Sequence, residues 1–171
     1  MITISNIKSN TFSQKNYNNM INSLPFHKLS CTCGLKGNLI KHGYYKRSVK
    51  SDGELIQLKI LRLICKSCKK THSILPNSIV PYSRTLLKDQ INIISTYLLN
   101  GSFDQVMIDN ILIDESNLRY IINNFNRHWK ERLISFKIHL NNELIKLCFK
   151  YYNRQFMQIK CTPNILFVAP T

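Results

Sequence analysis

Two runs that mix hydrophobic and polar positions, residues 38–49 and 54–64, are separated by one interruption at residues 51–53. In the second half, Ile56, Leu58 and Ile60 alternate with Gln57 and Lys59, a pattern that turns one face of a strand inward. The interruption reads Ser-Asp-Gly, and Asp-Gly between apolar runs is a strong signal for a β-hairpin. The pattern therefore predicts strands over 38–49 and 54–64, followed by a third short strand over 71–75.

Outside this segment the hydrophobic period is helical. Residues 1–12 are expected to be irregular, and the prolines at positions 25, 76 and 81 mark breaks between elements. The pattern predicts a helix over 13–24, helices over 84–99 and 102–110, a longer helix from Asp114 or Ser116 to Phe136, a last helix from Glu143 and a terminal strand over 164–168.

The longer helix has one apolar and one polar face. Its apolar stripe holds Leu118, Ile121, Ile122, Phe125, Trp129, Leu133 and Phe136. Its polar face offers Ser116, Asn117, Arg119, Tyr120, Asn123 and Arg127. A short helix, a tight turn and a longer helix of this kind are typical of a helix-turn-helix, whose second helix enters the major groove, where Arg reads guanine and Asn reads adenine. The alternative interpretation is a plain helical core domain.

Two close pairs of cysteines flank the predicted hairpin. They are Cys31 and Cys33, followed by Gly34, and Cys65 and Cys68. Paired thiolates on two turns are the ligands of a structural Zn²⁺, which takes four sulfurs in a tetrahedron and leaves no catalytic position. The spacing therefore predicts a structural zinc ribbon with these four cysteines as ligands.

The first pair has one intervening residue instead of the usual two, which leaves alternatives open. A turn at Gly34 has to rotate both sulfurs to the same side. If only one of the pair binds, then a histidine, His27, His42 or His72, could complete the site. A further alternative is that the cysteines are ordinary buried residues of a reduced protein. The remaining two, Cys148 and Cys161, are expected to be packing residues.

The chain is strongly basic. It has 24 Lys and Arg against 9 Asp and Glu, a formal net charge of +15, and such an excess attracts polyanions, above all nucleic acid. The hairpin carries basic and aromatic side chains that suit phosphate and base contacts: Lys41, Tyr44, Lys46, Arg47, Lys59 and Arg62. The alternative is a solvated strand face. With no secretory signal and no apolar run of membrane-spanning length, a cytoplasmic, nucleoid-associated protein is expected.

These observations together predict an α+β fold, with an N-terminal zinc-ribbon hairpin or three-stranded sheet followed by an all-α helix-turn-helix domain. The 171 residues are expected to divide into an N-terminal extension (1–25), the zinc ribbon (26–80), the helix-turn-helix-like region (81–140) and a C-terminal helix and strand (141–171).

Several longer runs resemble a known family. They are NLIKHGYYKR (38–47), LRLICKSC (61–68), THSILP (71–76), VPYSR (80–84), RQFMQIK (154–160) and TPNILF (162–167). The chain resembles an uncharacterised family of bacterial proteins, mostly from Firmicutes, that have a transposase-like zinc ribbon and are often encoded in mobile elements. More distantly, it is similar to the DNA-binding N-terminal region of insertion-sequence transposases. The resemblance implies metal ligands at Cys31 or Cys33, Cys65 and Cys68, whereas the short first pair departs from the family's usual spacing.

The sequence thus favours a non-catalytic, zinc-dependent protein that binds nucleic acid, most simply double-stranded DNA, as an accessory or regulator of transposition. A second hypothesis is a protein-interaction accessory that binds a transposase or another mobile-element protein. The third is a small transposase or nuclease, which needs several convergent carboxylates. Two of the acidic residues lie at the predicted hairpin turn. Several others lie at predicted helix starts, where helix capping accounts for them. RNA binding, the target sequence and the oligomeric state are left open.

Overall fold

The computed structural model of the chain describes residues 1–4, 13–51, 54–159 and 166–168. Two compact units divide the chain between them. The first contains Met1–Val49, Leu55–Ile79 and the C-terminal strand, and the second contains Lys50–Glu54 and the segment from Val80 to Cys161. The fold class is α+β, as predicted, with the strands concentrated in the first unit and most helices in the second.

A five-stranded sheet forms the first unit. Its elements are β1 (Ile2–Ile4), α1 (Gln14–Asn22), a 3-10 turn (Phe26–Lys28), β2 (Leu39–Ser51), β3 (Glu54–Cys65), β4 (Thr71–Pro76) and β5 (Leu166–Val168). The ends of β2 and β3 at the hairpin tip, within Lys50–Glu54, belong to the second unit. The strand order is β2-β3-β4-β1-β5. The predicted hairpin strands and third strand are confirmed, and β3 and β4 pair antiparallel with Arg62 opposite Ser73. The predicted tip at Asp52 and Gly53 lies outside the described residues.

Strand β1 was not expected, because residues 1–12 predicted irregular structure. Ile2, Thr3 and Ile4 are all buried, and they run parallel to β4 on one side and to β5 on the other. A three-residue strand buried on both faces has no polar alternation, so its sequence gives no periodic signal. The predicted terminal strand is confirmed over Leu166–Val168, and positions 164 and 165 lie outside the described residues.

Helix α1 hydrogen-bonds to β3 and β4 next to their paired residues. The Leu61 amide donates to the Tyr17 hydroxyl at 2.8 Å, and that hydroxyl donates to the Ile74 carbonyl at 3.1 Å, so one phenol bridges the two strands. Near the start of the helix, the Gln14 side chain accepts from the Lys59 amide at 2.7 Å. Burial raises the pKa of Tyr17, so the phenol keeps its proton and its donor role at neutral pH. The helix begins after Ser13, whose side chain accepts from the Asn16 amide and caps it; the predicted start of the helix at Ser13 is confirmed.

The second unit is helical. Its helices are α2 (Leu87–Asn100), α3 (Phe103–Asp109), α4 (Glu115–His128), α5 (Lys130–Ser135) and α6 (Leu144–Tyr152). One continuous core joins them, and the fully buried Trp129 contacts the rings of Tyr152 and Phe156 edge-on, with centroids at 5.8 and 5.3 Å. Edge-on contacts of this kind are favourable beyond the area that they bury.

The longer predicted helix is interrupted at Trp129, which separates α4 from α5. Its apolar stripe is buried from Leu118 to Leu133, which confirms the predicted inward face. Phe136 was wrongly included, because the chain leaves the helix at Ser135 and the ring lies exposed against Tyr151, with centroids 4.5 Å apart. The four-segment division predicted from the sequence stays a prediction. Among the described residues, no helix has both the length and the apolar character needed to cross a membrane.

Candidate metal centre and basic surface

The first cysteine pair lies on a tight turn that follows the buried Leu29. The Gly34 amide donates to the Cys31 carbonyl at 2.9 Å, and the Cys31 amide donates to the Leu35 carbonyl at 2.8 Å. Gly34 has φ of +89°, a conformation that favours glycine because it has no Cβ. The turn that the sequence required after Cys33 is therefore present.

The second pair lies on a similar turn between β3 and β4. The Lys69 amide donates to the Cys65 carbonyl at 3.0 Å, and the Cys65 amide donates to the Lys70 carbonyl at 3.0 Å. Lys69 has φ of +60°, and it follows the second cysteine as Gly34 does in the first turn. Each of these hydrogen bonds encloses one residue more than the equivalent bond in the first turn. The first turn is therefore a tighter version of the second, which accommodates the single residue between Cys31 and Cys33.

The two turns bring all four sulfurs together. The Sγ atoms of Cys31 and Cys68 are 3.5 Å apart, those of Cys33 and Cys65 are 3.9 Å apart, and all four lie within 4.8 Å of one another. A tetrahedron with Zn–S bonds of about 2.3 Å has sulfurs about 3.8 Å apart. The cluster therefore fits a structural metal such as zinc, with Cys31, Cys33, Cys65 and Cys68 as its ligands.

The electrostatics of the cluster favour a thiolate at Cys65. The backbone N–H group of Cys68 donates to the Cys65 sulfur, as does that of Ser67, and these bonds lower the pKa of the thiol to about 6 although burial opposes the shift. Cys31 and Cys65 are buried, Cys68 is half-buried and Cys33 is exposed. Thiolates packed this closely repel one another, and a divalent cation between them removes that repulsion.

His72 contacts the cluster from the side. Its Nε2 lies 3.2 Å from the Cys31 sulfur, and its Nδ1 lies 3.4 Å from the backbone nitrogen of Met1. Burial, with the nearby positive charges of the Met1 amino group and Lys70, lowers the pKa of His72 to about 4. Because an ammonium group can only donate, a charged Met1 amino group requires Nδ1 to accept, and the hydrogen of the neutral ring is then on Nε2 and faces the sulfur. Such outer contacts orient a ligand.

The histidine alternatives are less well placed than the four cysteines. The ligand atoms that lie within 4.8 Å of one another are the four sulfurs, and His72 is not among them. His27 and His42 are exposed. A search of the described residues for three or more His, Cys, Asp or Glu side chains close enough to share one ion finds these four cysteines.

Of the two cysteines outside the cluster, Cys148 and Cys161, the structure describes Cys148. Cys148 is fully buried in the core of the second unit, and burial raises the pKa of its thiol to about 12. The predicted packing role of Cys148 is confirmed. Cys161 lies outside the described residues.

A comparison with known protein families matches residues 30–119, just over half of the chain, to the family described as Domain of unknown function (DUF6431). The chain belongs to this family. The matched segment contains all four cysteines, the hairpin between them and the chain as far as Arg119 in α4. The comparison with curated proteins found no match, and neither did the comparison with solved structures.

The predicted contacts on the hairpin of the DUF6431 domain lie at the surface. Lys41, Tyr44, Lys46, Lys59 and Arg62 are exposed and Arg47 is half-buried. Two of the cations lie over aromatic rings, with Lys41 Nζ 5.5 Å from the Phe26 centroid and the Arg62 guanidinium 5.1 Å from that of Tyr45. Cation–π contacts of this kind restrict long side chains without neutralising their charge.

The predicted contacts on α4 are all exposed, and some already have local partners. Ser116, Asn117, Arg119, Tyr120, Asn123 and Arg127 face solvent. Arg119 pairs with Glu115 at 2.7 Å and lies over the Phe103 ring at 4.2 Å. Asn117 donates to the Asp114 carboxylate at 2.9 Å. Arg127 and Asn123, further along the helix, are thus the better candidates for base contacts.

The acidic residues are distributed very unevenly between the two units. The first unit has twelve Lys and Arg and no Asp or Glu, a formal charge of +12, whereas the second has twelve basic and nine acidic residues, a formal charge of +3. The overall charge predicted a polyanion partner but not its location. The sequence does contain a signal for this location, because residues 1–51 and 55–88 have no Asp or Glu. Only the fold shows that most of these two segments belong to one unit.

Proposed function

We propose that this DUF6431 domain is a zinc-stabilised, non-catalytic DNA-binding protein that serves a mobile element as an accessory or regulator of transposition. The observation that carries the proposal is the absence of any Asp or Glu from the unit that contains the cysteine cluster, against twelve Lys and Arg. A surface of one charge sign raises the local concentration of a polyanion and releases its counterions on binding.

The two units are proposed to have different tasks. The sheet unit supplies affinity through phosphate contacts from side chains such as Lys46 and Arg62, which do not depend on sequence. Helix α4 supplies base contacts, with Arg127 reading guanine and Asn123 reading adenine. The metal holds the two cysteine turns so that the basic strands between them keep one arrangement.

Salt dependence tests the electrostatic part of the proposal. If six or more phosphates are neutralised, the affinity of the zinc-loaded protein for duplex DNA should fall roughly 10³-fold or more between 50 and 200 mM salt. Fluorescence anisotropy with a labelled duplex measures this. Arg62→Gln should reduce the steepness of the plot of log affinity against log salt concentration by about one, the value expected for one lost phosphate contact. Affinity that is constant across this salt range would refute the proposal.

Selection of bound duplexes from a random pool tests base reading. An enriched motif is expected, and Asn123→Ala or Arg127→Gln should relax it at one position each, at a cost of about 1–3 kcal/mol for a bidentate contact. A Lys46→Gln variant is the matched control, because loss of a phosphate contact weakens all sequences equally. A pool that enriches no motif would leave binding without sequence preference and refute the reading role of α4.

A second candidate function, docking on a transposase, is favoured by one observation in the second unit. Ile108, Ile111 and Leu112 lie around the turn between α3 and α4 and are all exposed, with Ile111 86% accessible. Exposed apolar side chains this close together are typical of protein-interaction surfaces. The mobile element's own transposase should co-purify with the wild-type chain and not with Ile111→Glu. Ile134→Glu is the control, because Ile134 is also exposed but lies on α5.

A further inference from the structure

A groove of about 650 Å³ lies between α1 and strands β2 and β3 of the first unit. Its volume is in the range of clefts that hold small organic ligands. Three of the side chains predicted from the sequence to contact DNA, Lys41, Tyr44 and Lys59, line this one groove. The hairpin residues that suggested phosphate and base contacts therefore converge on a concave site.

The walls of the groove combine cations, amides and an aromatic ring. Strand β2 contributes Lys41 and Tyr44, β3 contributes Lys59 and Gln57, and α1 contributes amides such as Asn18. None of the described residues that line the groove is acidic. This composition suits an anionic ligand that also has flat polar rings.

The groove is built on a fixed frame. The Gln14 side chain accepts from the Lys59 amide at 2.7 Å, which holds the backbone of Lys59 against the start of α1. On the floor, the Tyr17 hydroxyl bridges β3 and β4. At the rim, Lys41 lies over the Phe26 ring. Side chains held in this way lose little further freedom on binding, which favours affinity.

Tyr44 is the side chain that decides between double-stranded and single-stranded ligands. Tyr44 lines the groove and is 57% accessible as a residue. Bases inside a duplex are stacked on one another and cannot reach an aromatic ring within a concave site. Unpaired bases stack on exposed aromatic rings while cations follow the phosphates, as in single-strand-binding proteins generally.

We propose that this groove binds an unpaired stretch of nucleic acid, with a base stacked on Tyr44, phosphates against Lys41 and Lys59, and the amides of Asn18 and Gln57 at the base edge. The inference deepens the proposed function and rests on it, since it assigns the sheet unit a single-stranded ligand beside the duplex. A protein that binds both forms is suited to DNA whose strands are locally separated.

Direct binding tests the inference. Anisotropy of the zinc-loaded full chain is measured with an oligothymidine of about 12 nucleotides, within the length bound by single-strand-binding modules, and with a duplex of the same length. Tyr44→Ala should weaken single-strand binding roughly 5- to 150-fold, the loss expected from one stacked base, and should weaken duplex binding much less than that. Tyr44→Phe should retain single-strand affinity, because the ring can still stack.

Two matched controls locate the effect in the groove. Tyr82 is 56% accessible but belongs to the second unit and is not a predicted DNA contact, so Tyr82→Ala should leave single-strand binding unchanged. Lys46→Gln removes the same charge from β2 as Lys41→Gln but outside the groove, and it should weaken single-strand binding less. Ultraviolet crosslinking of bromodeoxyuridine oligonucleotides, followed by peptide mapping, should identify Tyr44.

The outcomes separate this inference from the proposed function. Duplex binding without single-strand binding, or equal losses from Tyr44→Ala and Tyr82→Ala, would overturn the groove assignment and leave the proposed function standing. Binding to neither form at low salt would overturn both. A preserved thermal transition in each variant shows that a loss of binding is not a loss of folding.

Discussion

Removal of the metal from the cysteine cluster should unfold the sheet unit. The sulfurs of Cys31 and Cys68 and those of Cys33 and Cys65 already lie 3.5 and 3.9 Å apart, so zinc binds without rearrangement and its affinity is not reduced by strain. A structural zinc contributes about 10–16 kcal/mol in small domains, whereas an entire domain is stable by about 5–15 kcal/mol. The unit should therefore not stay folded without the ion.

The same figures give the effect of a single ligand. Divided among four thiolates, about 10–16 kcal/mol is about 2.5–4 kcal/mol each, so Cys65→Ser should lower zinc affinity roughly 10²- to 10³-fold. The matched control is Cys148→Ser, because Cys65 and Cys148 are both fully buried and the substitution is the same. Cys148→Ser should reduce stability and leave the metal content and zinc affinity unchanged.

Three measurements check these expectations. Elemental analysis should find about one zinc per chain, X-ray absorption should find four sulfurs at about 2.3 Å, and circular dichroism should lose its strand signal on chelation and regain it with zinc. The reasoning is refuted if the chelated protein keeps the strand signal, or if Cys148→Ser releases metal as readily as Cys65→Ser does.

Three further predictions follow from single side chains. Tyr17→Phe removes the hydroxyl that joins β3 and β4 and should cost about 2–4 kcal/mol in urea unfolding, because two buried backbone groups lose their partner; Tyr120→Phe, which is exposed, should cost less than about 0.5 kcal/mol. Burial raises the pKa of the Cys148 thiol to about 12, so this thiol ionises in the unfolded chain first as the pH rises. Its contribution to the free energy of unfolding is complete below about pH 8.5 and declines between there and pH 12. Urea unfolding over this pH range should show a shallower decline of that free energy for Cys148→Ala. Lys50, at 3.1 Å, lowers the pKa of Asp114; an NMR titration should find that carboxyl below its usual range and find Lys50→Gln returning it toward that range.

Much of the candidate site was predictable because its parts are local in sequence. The two cysteine turns follow from spacing and from Gly34, which supplies the positive φ that the tight first turn requires. The strands follow from alternation that a turn signal interrupts, and the helices follow from periodicity that ends at Gly101 and at proline. These signals arise within a few residues, so the sequence alone contains them.

Other features depended on contacts between distant segments. The Tyr17 bridge, the His72 contact with Cys31 and the groove around Tyr44 each join side chains that are more than 25 residues apart in the chain. The predicted long helix is divided at Trp129 into α4 and α5, and α5 ends at Ser135, one residue before Phe136. The periodicity predicted the inward face correctly but contained no signal for the break.

The sequence by itself predicted the four candidate ligand positions, the hairpin between them and the excess of positive charge. Only the tertiary structure decided that the sulfurs come within 4.8 Å of one another, that Ile2–Ile4 forms a strand between β4 and β5, and that every acidic residue belongs to the other unit. The physical reason is that turn and strand signals are set by neighbouring residues, whereas strand order and the convergence of side chains depend on closing long loops, whose cost is repaid only by the complete fold.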